Sequence, residues 1–210
     1  KSEDGRDILI ENGTEQVCRV RLLDREIRFD VKGFFQSNLP LMERLITAVC
    51  SGLEGDRVAD LYSGAGVFSL FLQDRFAETV LVEQNRDALK WADINLAGKK
   101  HTSYGMSCGK WVQRPEAAKP FSAVIADPPR NGLEGDVCKW LCGLKGTELR
   151  YVSCNPVTLA RDAVKLAAGG CTLKSLQLFD FYPQTSHIEC VAIFDSREVG
   201  KNTDPNGQNR

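Results

Sequence analysis

The sequence predicts an α/β fold: a mostly parallel sheet, helices on both faces, and an antiparallel hairpin strand at the carboxyl end. Two observations lead to this class. From about residue 36 onward, short apolar segments alternate with amphipathic ones, and strands joined by helices run parallel in one sheet. The last two apolar segments, 172–182 and 187–195, are separated only by a proline-containing turn, which predicts a hairpin.

The composition of the chain changes at two places. Residues 8–31 contain short β segments with no helix between them, so we interpret residues 1–33 as the remnant of a preceding β-rich domain or linker. The alternating region, 34–196, is expected to form one domain with a core of its own. The tail, 197–210, is polar and rich in turn formers, which predicts disorder.

The elements of the alternating region follow in order. A helix is predicted from Leu39 to about Cys50, with Pro40 in its first turn, where helices tolerate a missing N–H group. Strands are predicted at 57–62, 79–83, about 101–106, 121–127 and 148–153, and helices at 66–74, 85–97, about 134–142 and 157–168. Asn85 is the expected N-cap of the second of these helices, whose apolar positions include Leu89, Ala92, Ile94 and Leu96. A terminal hairpin on such a sheet is typical of the methyltransferase variant of the Rossmann-like sheet.

Composition restricts the classes of partner. The 210 residues carry a net charge of −1, which argues against a large phosphate-binding surface but leaves a local basic groove or a separate binding domain open. No apolar run approaches the roughly 18 residues of a membrane span, and no signal peptide is visible. The eight cysteines are scattered and only two histidines are present, which predicts reduced thiols in a cytoplasmic protein without a metal or iron–sulfur site. We also expect a monomer.

The segment DLYSGAGVF, residues 60–68, predicts a strand, a glycine-rich turn and a helix. Gly64 and Gly66 permit a tight turn and a close approach of the backbone to a ligand, although a turn that serves packing alone would look the same. The turn lacks the lysine of a phosphate-binding loop. Glu83 ends the next strand, where a carboxylate can accept hydrogen bonds from ribose hydroxyls. This pairing indicates an adenosyl ligand, with S-adenosyl-L-methionine favoured over a dinucleotide.

Two further strand ends carry reactive side chains. In ADPPRNGL, Asp127 ends a strand and two prolines stiffen the loop before Arg130. That loop suits the binding of a planar base beside a cofactor, and the alternative is a turn with a surface ion pair. In YVSCNPVTLARD, Cys154 stands between a buried strand and a helix, where it is either a small buried hydrophobe or a nucleophile. The amino end of that helix is expected to favour its thiolate.

The hairpin contributes an acid. In FYPQTSHIECV, Glu189 lies among apolar residues, and His187 precedes it by two positions. Partial burial would raise the pKa of Glu189 into a range suited to proton transfer. The alternative is a carboxylate that points outward from an edge strand.

These segments resemble, in the same order, the motifs of the uracil-C5 RNA methyltransferases, which form 5-methyluridine in transfer or ribosomal RNA. The resemblance rests on FFQSN, DLYSGAGVFSL, VEQNRDAL, DPPRNGL, YVSCNPVTLARD and DFYPQTSHIECVA, and it spans about residues 34–194. It implies that 34–196 is a catalytic domain that uses S-adenosyl-L-methionine and acts on tRNA or rRNA. By matching position it implies Cys154 as nucleophile and Glu189 as proton acceptor. The cofactor-pocket positions it implies are Gln36, Tyr62, Glu83 and Asp127.

The chain departs from the family pattern at three positions. Ser63 replaces a common cysteine, Val67 replaces a polar residue, and Cys108 replaces an acid or amide near the adenine. The family's small RNA-binding barrel and its iron–sulfur cysteine cluster have no counterpart in these residues. Three other functions stay open: methylation of another base or of an amine, RNA binding without catalysis, and a catalytic domain that binds cofactor but needs further domains for turnover on RNA.

Overall fold

The computed structural model describes residues 9–11, 17–33, 35–36, 38–185 and 187–196. In chain order its elements are β1 (Leu9–Glu11), β2 (Val17–Leu22), β3 (Arg25–Asp30), α1 (Leu39–Cys50), β4 (Gly55–Leu61), α2 (Val67–Leu72), β5 (Phe76–Val82), α3 (Arg86–Asn95), β6 (His101–Tyr104), α4 (Cys108–Trp111), a 3₁₀ helix (Pro115–Ala118), β7 (Ala123–Ala126), α5 (Gly135–Gly143), β8 (Glu148–Ser153), α6 (Pro156–Ala168), β9 (Thr172–Phe179) and β10 (Glu189–Asp195). The tail predicted at 197–210 lies outside the described residues.

The main sheet has seven strands in the order β6-β5-β4-β7-β8-β10-β9. Strands β4 to β8 pair in parallel, whereas β10 runs antiparallel to both β8 and β9. The predicted α/β class, with a Rossmann-like methyltransferase sheet and a carboxy-terminal hairpin strand, is therefore confirmed. The strand order reverses between β4 and β7, because β5 and β6 extend the sheet one way and β8 extends it the other. Ligands of such sheets bind outside the carboxyl ends of the strands at this reversal.

Helices cover both faces of the sheet, as predicted. Helices α1 and α2 pack on one face of the sheet and form the first core with it, around Leu45 and Phe68. Helices α4, α5 and α6 share another core with the opposite face, around Trp111. Side chains alternate along each strand, so Val58 belongs to the first core and its neighbour Ala59 to the second. No helix in the described part of the chain has the length and apolar character that crossing a bilayer requires.

A second, antiparallel sheet is formed by β1, β2 and β3, in agreement with the β segments predicted at 8–31. Its residues Leu22 and Ile27 belong to the same core as α1. Asn95, at the end of α3, exchanges two hydrogen bonds of 2.9 Å with the backbone of Arg28 and donates a third to the carbonyl of Ala65. One side chain thus holds β3 beside the turn that follows β4.

Two local features differ from the predictions. The four-residue elements α4 and the 3₁₀ helix were not predicted, because four residues are too few to show a helical period. In α3 the Asn85 cap is confirmed, since its side chain accepts from two backbone N–H groups. Ile94, which is among the apolar positions of the predicted amphipathic helix, is however 44% exposed. The buried stripe follows Leu89, Ala92 and Leu96, and Ile94 lies off that stripe.

Candidate active site

A cavity of about 730 Å³ opens at the carboxyl ends of β4, β5, β7 and β8, where the strand order reverses. The segments before α1 and before β10 supply further wall, together with residues of β3, α1, α2 and α3. Eight of the nine predicted site residues line it: Gln36, Tyr62, Gly64, Glu83, Asp127, Arg130, Cys154 and Glu189. The ninth, Gly66, stands outside the lining.

The turn between β4 and α2 has the backbone geometry that its glycines permit. Tyr62, Gly64 and Gly66 have φ angles of 62°, 52° and 77°. Beyond its chain neighbours, no heavy atom lies within 4 Å of a Cβ placed on Gly64, whereas a Cβ on Gly66 would stand 3.0 Å from that of Ala92. Gly64 therefore leaves open space at the cavity, and Gly66 serves the close packing of this turn on α3.

Glu83 follows β5, and backbone donors hold its carboxylate. Oε2 accepts a hydrogen bond of 2.9 Å from the N–H of Gly64, and Oε1 accepts one of 2.6 Å from the N–H of Asn85. These two bonds join the turn after β4 to the cap of α3. Each oxygen of an ionised carboxylate has a further lone pair, so Glu83 can still accept hydrogen bonds from a ligand.

Asp60, a residue without a predicted role, lies beneath the same turn. Its side chain is 1% exposed, and its Oδ2 accepts hydrogen bonds from the backbone N–H and the hydroxyl of Ser69, at 3.1 and 2.6 Å. Burial raises the pKa of Asp60 to about 7, although the bonds from Ser69 act in the opposite direction. The available signal in the sequence was a charged residue inside the apolar segment RVADLY.

Asp127 and Arg130 lie on a loop that is hydrogen-bonded to the start of α6. The backbone carbonyl of Arg130 accepts hydrogen bonds from the Asn155 side chain at 3.1 Å and from the Thr158 hydroxyl at 3.2 Å. The Arg130 guanidinium also reaches Nδ1 of His187, at 3.2 Å. Burial and neighbouring carboxylates raise the pKa of Asp127 well above its ordinary value. The loop thus presents a guanidinium and a carboxyl group with a strong tendency to hold its proton.

Cys154 directly follows β8 and Glu189 begins β10, and these two strands are antiparallel neighbours in the sheet. Ser153 pairs with Cys190 in the ladder, so the next residue on each strand lies at the same end of the sheet, at the cavity. Glu189 is 8% exposed and β10 is an interior strand, which excludes the edge-strand alternative. As predicted, burial raises the pKa of Glu189. A hydrogen bond of 3.3 Å from the Gln36 amide and the charge of Arg130 act in the opposite direction.

The Cys154 thiol is half-buried, and its pKa is raised above the ordinary value. Burial is the largest cause, followed by the repulsion that ionised Glu189 and ionised Asp127 exert on a thiolate, whereas Arg130 lowers this pKa. The net rise does not decide the expected effect of the amino end of α6, which stays a prediction, since Arg130 and a backbone hydrogen bond at Cys154 lower the same pKa. Pro156 has no N–H group, and the Asn155 side chain accepts from the next two N–H groups of α6, so these helix donors are not free to face the sulfur.

The segment before β10 adds a residue without a predicted role, Tyr182. Its hydroxyl donates to Oε1 of Gln36 at 3.3 Å, and its ring meets that of His187 edge-on, with centroids 6.4 Å apart. Tyr182 and Glu189 both line the cavity. Its presence in the segment FYPQTSHIECV carries no periodic signal that would have pointed to this contact.

The three departures from the family pattern are placed differently. Ser63 and Val67 line the cavity, whereas Cys108 is buried outside the lining. All eight cysteines are free thiols. Within the described ranges, no group of three or more His, Cys, Asp or Glu side chains is arranged to hold a metal ion.

Comparison with known proteins agrees with this geometry. Residues 117–197 match the family model of the tRNA (uracil-5-)-methyltransferases. An uncharacterized RNA methyltransferase of Treponema denticola is 39% identical, over 91% of this chain and 51% of its own length. The 23S rRNA (uracil(1939)-C(5))-methyltransferase RlmD of Pseudomonas fluorescens is 34% identical, over 88% of this chain and 41% of its own length.

A solved structure extends the likeness to the fold. The Pyrococcus abyssi tRNA (uracil-54, C5)-methyltransferase in complex with S-adenosyl-L-homocysteine is 31% identical and superposes with a TM-score of 0.73, over 87% of this chain and 45% of that one. The chain belongs to the uracil-C5 RNA methyltransferase family. Membership of this family, which the ordered motifs indicated, is thereby confirmed. The roles of individual site residues stay predictions. This uracil-C5 RNA methyltransferase homologue spans about half the length, or less, of the curated relatives it matches.

Proposed function

We propose that the chain methylates carbon 5 of a uridine in structured RNA, either tRNA or rRNA, through a covalent bond between Cys154 and the uracil. The supporting observation is that a thiol and a buried carboxylate, Cys154 and Glu189, meet at neighbouring strand ends beside one cavity. The same cavity contains Glu83, which backbone donors hold beside the glycine turn. A single cleft therefore offers a side for an adenosyl cofactor and a side for a base.

The residues of the cleft fit S-adenosyl-L-methionine. Glu83 keeps lone pairs for ribose hydroxyls, the space at Gly64 is open, and Val67 and Phe68 supply apolar wall. The cavity of about 730 Å³ lies within the range of roughly 300–1,000 Å³ that small-molecule sites occupy. The residues proposed to hold the cofactor are Gln36, Tyr62, Gly64, Glu83 and Asp127. When bound, it supplies an electrophilic methyl group.

Cys154 and Glu189 account for the chemistry at the base. Carbon 5 of uracil is a poor nucleophile. The Cys154 thiolate forms a bond to carbon 6, and the electrons of the C5=C6 double bond move toward carbon 5 and O4, so carbon 5 becomes able to accept the methyl group. Glu189 then takes the proton from carbon 5, the double bond re-forms, and Cys154 leaves as a thiolate. A methyl group has replaced a proton, which Glu189 passes to solvent.

The proposal that the substrate is RNA concerns the residues at the opening of the cavity. A uridine in structured RNA has to leave its stack to reach such a cleft, and Arg130 and His187 offer polar groups where it would enter. The net charge of the chain is only −1, and the chain matches about half of its relatives' length. We therefore propose that residues 34–196 are the catalytic domain, and that much of the RNA affinity of the relatives comes from regions outside the matched part.

Methyl transfer from labelled cofactor to separate tRNA and rRNA pools tests the proposal. Cys154→Ala should abolish transfer and the adduct with 5-fluorouracil RNA, while binding of the cofactor stays nearly unchanged. Glu189→Gln should methylate but accumulate the protein–RNA adduct, because elimination needs the proton to be removed. Cys142→Ala, which changes a thiol outside the cavity lining, is the matched control. Near-normal methylation by Cys154→Ala would refute the covalent mechanism and favour methylation of an amine, which needs no thiol.

A further inference from the structure

A chain of two hydrogen bonds connects Tyr182 to Glu189 through Gln36. The Tyr182 hydroxyl donates to Oε1 of Gln36 at 3.3 Å, and Nε2 of Gln36 donates to Oε1 of Glu189 at 3.3 Å. The three residues are far apart in sequence. Gln36 precedes α1, Tyr182 precedes β10, and Glu189 begins β10. Only the folded chain brings them into one row.

The chemistry of an amide gives this row a direction. One end of the Gln36 amide accepts hydrogen bonds and the other donates, and an ionised carboxylate can only accept. The Tyr182 hydroxyl donates to the acceptor end, so the NH₂ end is left to face Glu189. With the amide reversed, two oxygen acceptors, of Gln36 and Glu189, would face each other, so an ionised Glu189 itself requires the NH₂ end. In this orientation the Tyr182 hydroxyl, which can donate or accept, donates to the amide oxygen; this bond holds Gln36 in place and strengthens its N–H group as a donor to Glu189.

The other charged and titratable groups around Glu189 do not replace this donor. Burial opposes its ionisation, and the Arg130 charge acts with Gln36 in favouring it. Asp127 and Cys154 share the cavity, and Cys190 follows on the strand. Each of these three groups is itself made harder to ionise by the negative charge of Glu189, so none of them favours the ionised carboxylate. Arg130, for its part, is exposed and also donates to His187.

The geometry points to Tyr182 as a positioning residue, which acts through Gln36 to keep Glu189 ionised and ready to accept a proton. The importance of Tyr182 for catalysis rests on the proposed function, whereas the effect of Tyr182 on the ionisation of Glu189 does not. The substitution that tests it is Tyr182→Phe, which removes one hydroxyl and keeps the ring that contacts His187. Tyr182 is 38% exposed, so the loss of the hydroxyl leaves the core intact.

Titration of Glu189 by carbon-13 NMR, on the chain without cofactor or RNA, measures the effect directly. Glu189→Gln identifies the resonance by deleting it. In Tyr182→Phe the midpoint should rise by about half a pH unit, the size expected for loss of a modest hydrogen-bond contribution. Gln36→Met should raise it at least as far. Tyr104→Phe, which removes a hydroxyl outside the cavity lining, should leave it unchanged.

The double variant decides whether Tyr182 acts through Gln36. If it does, Tyr182→Phe will add nothing in the Gln36→Met background. An unchanged midpoint in Tyr182→Phe, or a full additional shift in the double variant, would overturn the inference. With RNA, the acid limb of the rate of adduct elimination should move upward with the NMR midpoint. A shifted NMR midpoint without any methyl transfer would count against the proposed function alone, and active enzyme with an unshifted midpoint would count against the role of Tyr182 alone.

Discussion

Replacing Asp60 by asparagine tests whether one buried carboxylate controls how the stability of the chain depends on pH. The side chain is 1% exposed, its Oδ2 accepts two hydrogen bonds from Ser69, and its Oδ1 has no hydrogen-bond partner. Asparagine can keep an oxygen acceptor toward Ser69 and removes the charge. We expect Asp60→Asn to lose less stability than the wild type as the pH rises.

The expected magnitude follows from the pKa of Asp60, which burial raises from 3.8 to about 7. Because the folded-state pKa lies above the unfolded value, the folded state holds this proton more tightly, and the stability associated with it is lost as the pH rises toward about 7. A rise of about 3 units corresponds to about 4 kcal/mol at the upper limit. Between about pH 5 and pH 8, the part lost from the free energy of unfolding is roughly 2–3 kcal/mol.

Urea unfolding of the wild type and of Asp60→Asn, at several pH values across this range, measures the effect. Other groups titrate in both proteins, so the difference between the two curves isolates Asp60. Ser69→Ala provides a second comparison, because it removes the hydroxyl hydrogen bond that lowers the pKa of Asp60, while the backbone N–H bond remains, and it should strengthen the pH dependence. Parallel curves for the wild type and Asp60→Asn would refute the reasoning.

Three further predictions concern the glycine turn and the cavity. Gly66→Ala should destabilise the chain more than Gly64→Ala in urea unfolding, since both incur about 1–2 kcal/mol of left-handed strain but only Gly66 would crowd α3; equal losses would contradict this. Glu83→Gln should weaken calorimetric binding of S-adenosyl-L-homocysteine by roughly tenfold, since hydrogen bonds to charged groups are the stronger ones, and unchanged affinity would remove Glu83 from the cofactor site. The rate at which iodoacetamide alkylates Cys154, followed by mass spectrometry, should increase only above the pH at which an ordinary cysteine reacts. Glu189→Gln should lower the midpoint of this pH dependence, because it removes a negative charge beside the thiol. A higher or unchanged midpoint in Glu189→Gln would be inconsistent with this.

Much of the fold and the approximate site could be predicted because the signals are local. Strand β8 has the predicted bounds, and α6 begins one residue before its predicted start, because apolar periodicity and an Asn-Pro cap act within a few residues. The four-residue α4 carried no such signal. The predicted residues at the strand ends could also be placed together, since parallel strands that share a sheet end at the same edge.

The sequence by itself determined the kind of each main element, the edge of the sheet that carries the cavity, and eight of the residues that line it. Only the tertiary structure decided the protonation and the partners of those residues. The raised pKa of Cys154, the buried carboxyl of Asp60 and the row from Tyr182 through Gln36 to Glu189 all depend on groups that are distant along the chain. Burial and charge proximity arise from packing in three dimensions, and a short segment of sequence does not contain them.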